Sequence, residues 1–475
     1  MLRAIGLFRK ETIAHGLLVF LLTVSLAFGA EPPLTYSATT RKDYIASAPA
    51  PALQAAPYAF YESAPAFRTT RILRVTDANT FPSVPDRTFW TADGNANLFN
   101  SDDTRFIVRQ SGSQWIAFNF DAATFTAGPI MDGSDPLVVP LQVPWFSYQD
   151  PNVVYGASWS GIKLQKYDFA ARRTSTVVDL AAVKPGTTGV AGLVSVSKNE
   201  RIAASFGGPG QDNLADEIVY DVNTGDYKIL EMRTGQVYNS QTGTYRNVQF
   251  GVNGTMYKFQ DYPKAGVHSS TIDGSGRYVV LAVHGNDAHW PAKQAIVWDT
   301  QSDTFACIDH NADGHYDIGY GYLGGVDGSF SAGWVKVDLH NANATISLNP
   351  GTSGYDFRSH YMWNNTTATN PLTPLFASTG ALNSNHVPWT DEIIGISTSS
   401  PKGLVYRFTK THMIYDPKDW YAEVRGNISP DGRFFIFDSN WDDTLGTDPH
   451  YHDNYRHDVF IVDLLSAGRT RRGSQ

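Results

Sequence analysis

A unit of turn, strand, loop and strand ending in an acid recurs along the chain, and it limits the fold more than any other feature. Its clearest copy runs from Asn427 through Ser429-Pro430-Asp431-Gly432-Arg433 into the apolar Phe434-Phe435-Ile436-Phe437, and closes on His457 to Asp463. Weaker copies start at Ser197 and close on Asp221, and start at Asp273 and close on Asp299. A small sheet of this kind has two apolar faces and cannot bury both alone, so it must stack on its neighbours. Radial stacking of such sheets gives a β-propeller. Turn-plus-strand units start near Ser101, Asp150, Ser197, Asp273, Asp327, His360 and Ser429. They predict an all-β chain forming a single β-propeller of about seven four-stranded blades, with six or eight as the neighbouring counts. The strand Ile72 to Val75 is expected to complete the last blade and close the ring, because closure removes exposed sheet edges. Aromatic residues at 13% and 41 glycines suit blades packed face to face through tight turns.

The N-terminus carries Arg3, Arg9 and Lys10, then the apolar run Gly16 to Leu26, then the small residues Ala27, Gly29 and Ala30. That order predicts a signal peptide over 1–30 and a secreted or periplasmic mature chain without a membrane span, since the run is shorter than the ~20 residues a spanning helix needs. Residues 31–70 are rich in Ala and Pro and read as an extended linker. The propeller domain is expected over 71–465, followed by a basic tail at 466–475 with Arg469, Arg471 and Arg472. One cysteine, Cys307, excludes an internal disulfide framework, so a large core must supply stability to what reads as a monomer. A formal net charge of -9 without a Lys/Arg block argues against a nucleic-acid partner.

The Ser-Pro-Asp-Gly-Arg turn and its apolar strand, Ser429 to Phe437, resemble the repeat of TolB-like propellers, a group that includes oligogalacturonate lyase. The resemblance covers about the last three hundred residues, strongly in one blade and loosely elsewhere. It implies the fold more firmly than a function, because the same scaffold serves proteases, lyases and binding proteins.

Asp309-His310-Asn311-Ala312-Asp313-Gly314-His315-Tyr316-Asp317 places oxygen-bearing side chains at alternate positions with Gly sixth, the pattern of a loop that wraps a hard cation. Asp309, Asn311, Asp313 and Asp317 would bind calcium through side chains and His315 through its carbonyl, bracing the loop. The loop is similar to those of dockerins and integrin-α propellers. Tyr320 stands where an EF-hand has Glu, so no EF-hand is implied. An Asx-rich turn bonded to its own backbone is the alternative.

Aligning strand starts sets His360 against Arg425, with His268 one place off, and a one-residue offset turns a strand side chain to the other face. Together they form a candidate catalytic set at the central channel, where a propeller usually holds its ligand. Resemblance to oligogalacturonate lyase implies that propeller histidines so placed can hold a divalent metal neutralising a uronate carboxylate. Elimination at such a sugar needs that neutralisation, a base and an acid. Arg425 or a metal would serve the first, His360 or His268 the second, Tyr361 or Tyr415 the third. The same residues equally suit plain blade-edge structure. Further histidines fall in loops: His284 with His289, His386, and His450 with His452 and His457. Trp145, Phe146, Trp159, Trp290, Trp363, Trp389, Trp420 and Trp441 lie near turns, free to stack on sugars or to pack blades. No Gly-x-Ser-x-Gly elbow, His-Glu-x-x-His helix, phosphate loop or dinucleotide fingerprint occurs. The sequence therefore supports a propeller that binds a glycan or protein ligand at its channel mouth, with a polysaccharide lyase as the alternative.

Overall fold

The computed structural model describes residues 34, 36, 38–39, 43–62, 69–92, 96–207, 215–252, 255–258, 266–284, 294–309, 316–326, 334–341, 343–348, 357–381, 388–399, 404–415, 423–451 and 454–466. The chain divides into Met1–Leu34 and Thr35–Gln475, and the fold described here is that of the second unit. The expected signal peptide and C-terminal tail fall almost wholly outside the described residues.

Seven sheets of four to six strands surround an axis, beside one two-stranded ribbon. The innermost strands, in ring order, are Phe89–Trp90, Gln142–Phe146, Gly189–Val196, Gly266–Ile272, Tyr316–Ile318, Phe357–Met362 and Gly426–Ile428. We number the blades one to seven in that order. Each blade touches the next, and the seventh touches the first, so the ring is closed. Closure comes from Thr70–Arg74, which pairs with Asp458–Asp463 in register Ile72 to Val462 and Leu73 to Ile461.

Both faces of each blade are buried, which explains the unbroken apolar run in the repeat. In blade seven Ile436 and Ile461 join a cluster shared with blades one to three, while Phe435, Phe437, Phe460 and Val462 join one shared with blade six. Strand period two sends neighbours to opposite faces, so a strand covered on both sides needs apolar residues throughout.

The repeat signature is a set of hydrogen bonds. In the turn, the first residue's side-chain oxygen accepts from backbone just beyond: Ser429 Oγ from Phe434 N at 2.9 Å, Asp273 Oδ1 from Tyr278 N at 2.8 Å, Ser197 Oγ from Arg201 N at 2.9 Å. The fourth residue takes a left-handed backbone, with φ of 80° at Gly432 and 71° at Gly276, a conformation open to glycine without steric penalty. The arginine after that glycine reaches the acid that ends the blade's third strand, Arg433 to Asp463 at 3.2 Å and Arg277 to Asp299 at 2.8 Å. That acid also caps its own turn, as Asp463 Oδ1 does for Leu465 N.

From Tyr36 onward, the Pro/Ala-rich segment read as a linker is pinned to the ring at several of its described residues. Ala38–Thr39 adds a fifth strand to blade six and Tyr58–Glu62 a fifth strand to blade seven. Between them Ala50 N donates to Asp442 Oδ2 at 3.0 Å, and Trp441 Nε1 donates to Pro51 O at 2.8 Å. Among the described residues, no helix is long and apolar enough to cross a membrane.

Candidate ligand site at the channel mouth

At the end of the axis where the innermost strands begin lies a cavity of about 300 Å³. Among the described residues, four tryptophans wall it, Trp90, Trp115, Trp145 and Trp159, and the charged residues of its lining are Arg109 and Arg425. Blade one supplies three of these in cross-strand register, Trp90 opposite Arg109 and Arg109 opposite Trp115, so the cation stands between two indoles on one face. Trp159 sits in the turn after Val153–Ala157 and is 53% exposed, forming the lip. Val143, also in the wall, has φ of 46° beside a register shift between Gln142 and Trp145. A β-branched residue in that region is strained, and such outliers concentrate where a ligand surface must be shaped.

Arg425 is 2% exposed overall, yet its side chain reaches the cavity. Its backbone N–H donates to Asp438 Oδ1 at 3.1 Å, and Thr91 Oγ1 donates to the same oxygen at 2.9 Å. The other oxygen of Asp438 lies 3.5 Å from Nδ1 of the buried His457. Two residues before Arg425, Glu423 Oε2 lies 3.5 Å from His360 Nε2, and both groups are buried. His360 and Arg425 therefore sit in adjacent blades, linked through Glu423, but only Arg425 borders the cavity. His268 falls at a bulge between Val267 and Ser269 in the first strand of blade four, and its side chain lies outside the described set. An inserted residue is what a one-place offset between strand starts should reflect.

The opposite end of the axis is filled. Lys198 Nζ donates to the carbonyls of Asn364, at 2.5 Å, and Thr366, and it faces the rings of Tyr148 and Tyr320. Tyr148 Oη donates to Asn364 Oδ1 at 2.9 Å, and Asn427 Nδ2 donates to Ala96 O. Burial pulls the Lys198 ammonium down to about 7. The cavity is thus a blind cup with Trp145 at its base, where this residue meets the plug as well.

The remaining sequence candidates divide between packing positions, contacts elsewhere and residues outside the described set. Tyr361 is buried in the apolar cluster of Trp363 and Trp389, on the opposite strand face from His360, and cannot act as an acid at the channel. Trp363, Trp389, Trp441 and Phe146 are fully buried packing residues, while Trp290 and Trp420 lie outside the described residues. His412 belongs to the contact with the N-terminal segment, its Nε2 2.9 Å from Glu62 Oε1. Residues 310–315 of the calcium motif are outside the described set, as are His289, His386 and His452. Of its ends, Asp309 closes Thr304–Asp309, the fourth strand of blade four counted from the axis, and Asp317 lies in the inner strand of blade five. Both oxygens of Asp317 take backbone donors, Ile318 N at 2.7 Å and Trp363 N at 2.9 Å, and burial raises its carboxyl well above the usual range. Among the described residues, no group of three His, Cys, Asp or Glu side chains is placed to hold a metal ion. Of the residues that sequence reading missed, Trp90, Arg109, Trp115 and Asp438 stand at or one place inside a strand terminus on the channel-mouth side, and Glu423 lies three places before one.

No protein-family model and no curated protein matches the sequence. Solved structures do match in fold. An oligogalacturonate lyase from Vibrio parahaemolyticus superposes with a TM-score of 0.51 at 10% identity, covering 88% of this chain and 98% of its own. An oligogalacturonate lyase in complex with manganese gives 0.50 at 10% identity, covering 86% of this chain and 96% of its own. At that identity the likeness establishes the propeller fold that these lyases share.

Proposed function

We propose that this protein is an exported propeller that takes an acidic saccharide into the cup at its channel mouth. One observation carries the reading: two arginines and four tryptophans converge on a single blind cavity in a chain of net charge -9. Indole faces take the C–H faces of pyranose rings, and guanidinium forks take carboxylates. Positive charge concentrated in an otherwise acidic protein draws an anion to that cavity rather than elsewhere on the surface. The fold likeness to oligogalacturonate lyases supports a glycan-related role.

Tryptophan fluorescence titrated with uronate oligosaccharides and their neutral counterparts tests this. Charged sugars should quench and neutral ones should not, and Arg425→Ala should weaken binding about 10- to 100-fold, the worth of a charge-assisted hydrogen bond. Unchanged binding in both Arg425→Ala and Trp159→Ala would refute the assignment. Export is checked by intact mass of secreted material, which should lack Met1 and begin near Glu31.

A second reading, elimination at the uronate, rests on Arg425 in the cup, with Glu423, two residues before it, paired to the buried His360. Arg425 would neutralise the carboxylate; His360, which does not border the cup, would position Arg425 through Glu423, while water takes the α-proton and supplies the proton for the departing oxygen. A divalent metal, as in the manganese complex of the similar lyase, finds no donor group among the described residues, so no step here depends on one. New ultraviolet absorbance from an unsaturated uronate, lost in His360→Ala, would establish the lyase. Its absence alongside saturable binding leaves a pure binder. The calcium motif is proposed as a separate bracing site: calcium should raise the melting temperature of wild type and not of Asp313→Ala.

A further inference from the structure

Blade three is wider than a standard four-stranded blade, because Gln236–Asn239 and Thr244–Asn247 add a hairpin to its outer edge. Register places four tyrosines on one face of this extension. Tyr220 is opposite Tyr227, Tyr238 is opposite Tyr245, and Tyr238 is also opposite Ile229, which shares a face with Tyr227. The rings of Tyr227 and Tyr238 are 5.9 Å apart and tilted by 41°; those of Tyr238 and Tyr245 are 4.9 Å apart and tilted by 48°. The inner rings rest on the core, whereas Tyr245 is 56% exposed.

The other face of the same strands is committed. Val237 joins the cluster between blades three and four, Lys228 Nζ reaches Thr300 O and Asp303, and Arg246 reaches Ser302 O. Both basic residues of the outer strands are therefore turned away from the tyrosines, and the two acids on the tyrosine face, Asp216 and Glu231, share Lys184, with Glu231 at 3.2 Å. What remains on that face is aromatic and neutral: stepped phenol rings beside the amides of Gln236 and Asn247, themselves bonded at 2.9 Å.

We infer that this ladder is an accessory surface for an extended, uncharged polysaccharide strand. Tyr245 offers an exposed π-face to a pyranose C–H face, the half-buried rings inward of it extend the aromatic strip, and the amides and phenol hydroxyls supply partners for sugar hydroxyls. Among the described residues of that face the charges lie in the Lys184 cluster, which separates the ladder from the arginine-bearing channel cup, so the two surfaces select different sugars. The assignment stands independently of the channel reading.

Affinity electrophoresis of the full chain through gels containing soluble xylan, mixed-linkage β-glucan or galactomannan tests it. At least one neutral polymer should retard wild type, and Tyr245→Ala and Tyr238→Ala should each weaken that retention by about tenfold, as loss of one aromatic stack predicts. Tyr245 is exposed, so its variant should melt like wild type even where Tyr238→Ala loosens the hairpin. Trp159→Ala and Arg425→Ala should keep the retention. No retardation by any neutral polymer, equal retention in Tyr245→Ala, or loss of retention in Trp159→Ala would each overturn the proposal. The first two would make the ladder a structural stack, and the third would move the binding to the channel.

Discussion

A carboxyl buried without a cation puts its proton under the control of the fold, and Glu217, with no ion pair among the described residues, is such a group. It lies in Asp216–Asp221, opposite Ser205 and fully enclosed between blades three and four. Burial pushes its carboxyl up to about 8, with a contact to Ser270 pulling slightly the other way. The folded state therefore holds a proton that the unfolded chain releases at ordinary carboxylate pH. Stability from this group falls as pH rises from about 4.5 to about 8 and is level above that. Glu217→Gln, which keeps the shape and removes the titration, should be nearly neutral at pH 5 and stabilise by roughly 1–3 kcal/mol at pH 9. Urea melts at the two pH values check it, and equal shifts at both would mean the carboxyl is not the titrating group. Residues of this kind were invisible in the sequence, because an acid inside a strand looks like any solvent-facing one until its neighbours are placed. Arg425 was legible because its strand start could be aligned with that of His360. The channel tryptophans were only half legible, since blade packing and sugar binding use the same residue type. Trp145 and Trp159 proved to wall a cavity, while Trp363 and Trp441 proved to fill the core.

Among elements, the N-terminal segment departs furthest from what its composition suggests. Ala/Pro-rich sequence has few apolar anchors and reads as a tether, yet single residues fix it to partners more than three hundred positions away. Tyr36 Oη donates to Gly432 O at 2.6 Å, and its ring meets Phe376, Tyr406 and Phe408 edge-on. Further along, His412 stands between Glu62 at 2.9 Å and Asp442 at 3.4 Å. Burial alone would lower the imidazole, but hydrogen bonds to Asp442 and Glu62 outweigh it and raise the group to about 9. The bonded residues His412, Trp441 and Asp442 all have left-handed backbones, with φ of 51°, 52° and 57°, so the loop is held against its own preference. A raised imidazole contributes stability that is complete below pH ~6.5 and lost as pH climbs through about 9. Hydrogen exchange along Tyr58–Glu62 should accordingly be slow at pH 6 and quicken, beyond the intrinsic base catalysis, between pH 8 and 10. His412→Ala should abolish that dependence and cost about 3–5 kcal/mol, because it leaves Glu62 and Asp442 without their cation. A pH profile in the variant like that of wild type would assign the transition to another group.

At the scale of the molecule, the ring was legible because its turn chemistry repeats: the side-chain-to-backbone bond recurs in blades three, four and seven and the arginine-to-acid pair in blades four and seven, and each leaves a mark in sequence. Closure was legible for the same reason, since Ile72 and Leu73 needed a partner and Asp458–Asp463 ended the last repeat. The structure gives this closure an energetic weight. Ile72 and Leu73 are at most 1% exposed and face the two different clusters that flank blade seven. At about 1.5–3 kcal/mol for each buried aliphatic side chain, the pair contributes roughly 3–6 kcal/mol, a large share of the 5–15 kcal/mol that holds a typical domain together. Two N-terminal deletions separate closure from mere trimming. Removing residues 1–69 takes away the added outer strands and the Glu62 contact but leaves Thr70–Arg74 paired with Asp458–Asp463, so this form should remain soluble and melt cooperatively at a lower temperature. Removing residues 1–75 exposes Asp458–Asp463 as an unpaired apolar edge and opens both clusters at the junction of the first and last blades, so it should aggregate or lose its cooperative transition. Size-exclusion chromatography and circular-dichroism melts of the two forms decide the matter. A 1–75 deletion that elutes as a monomer and melts like the 1–69 form would show that the ring is held by packing between blades alone, and that the closing strand is dispensable.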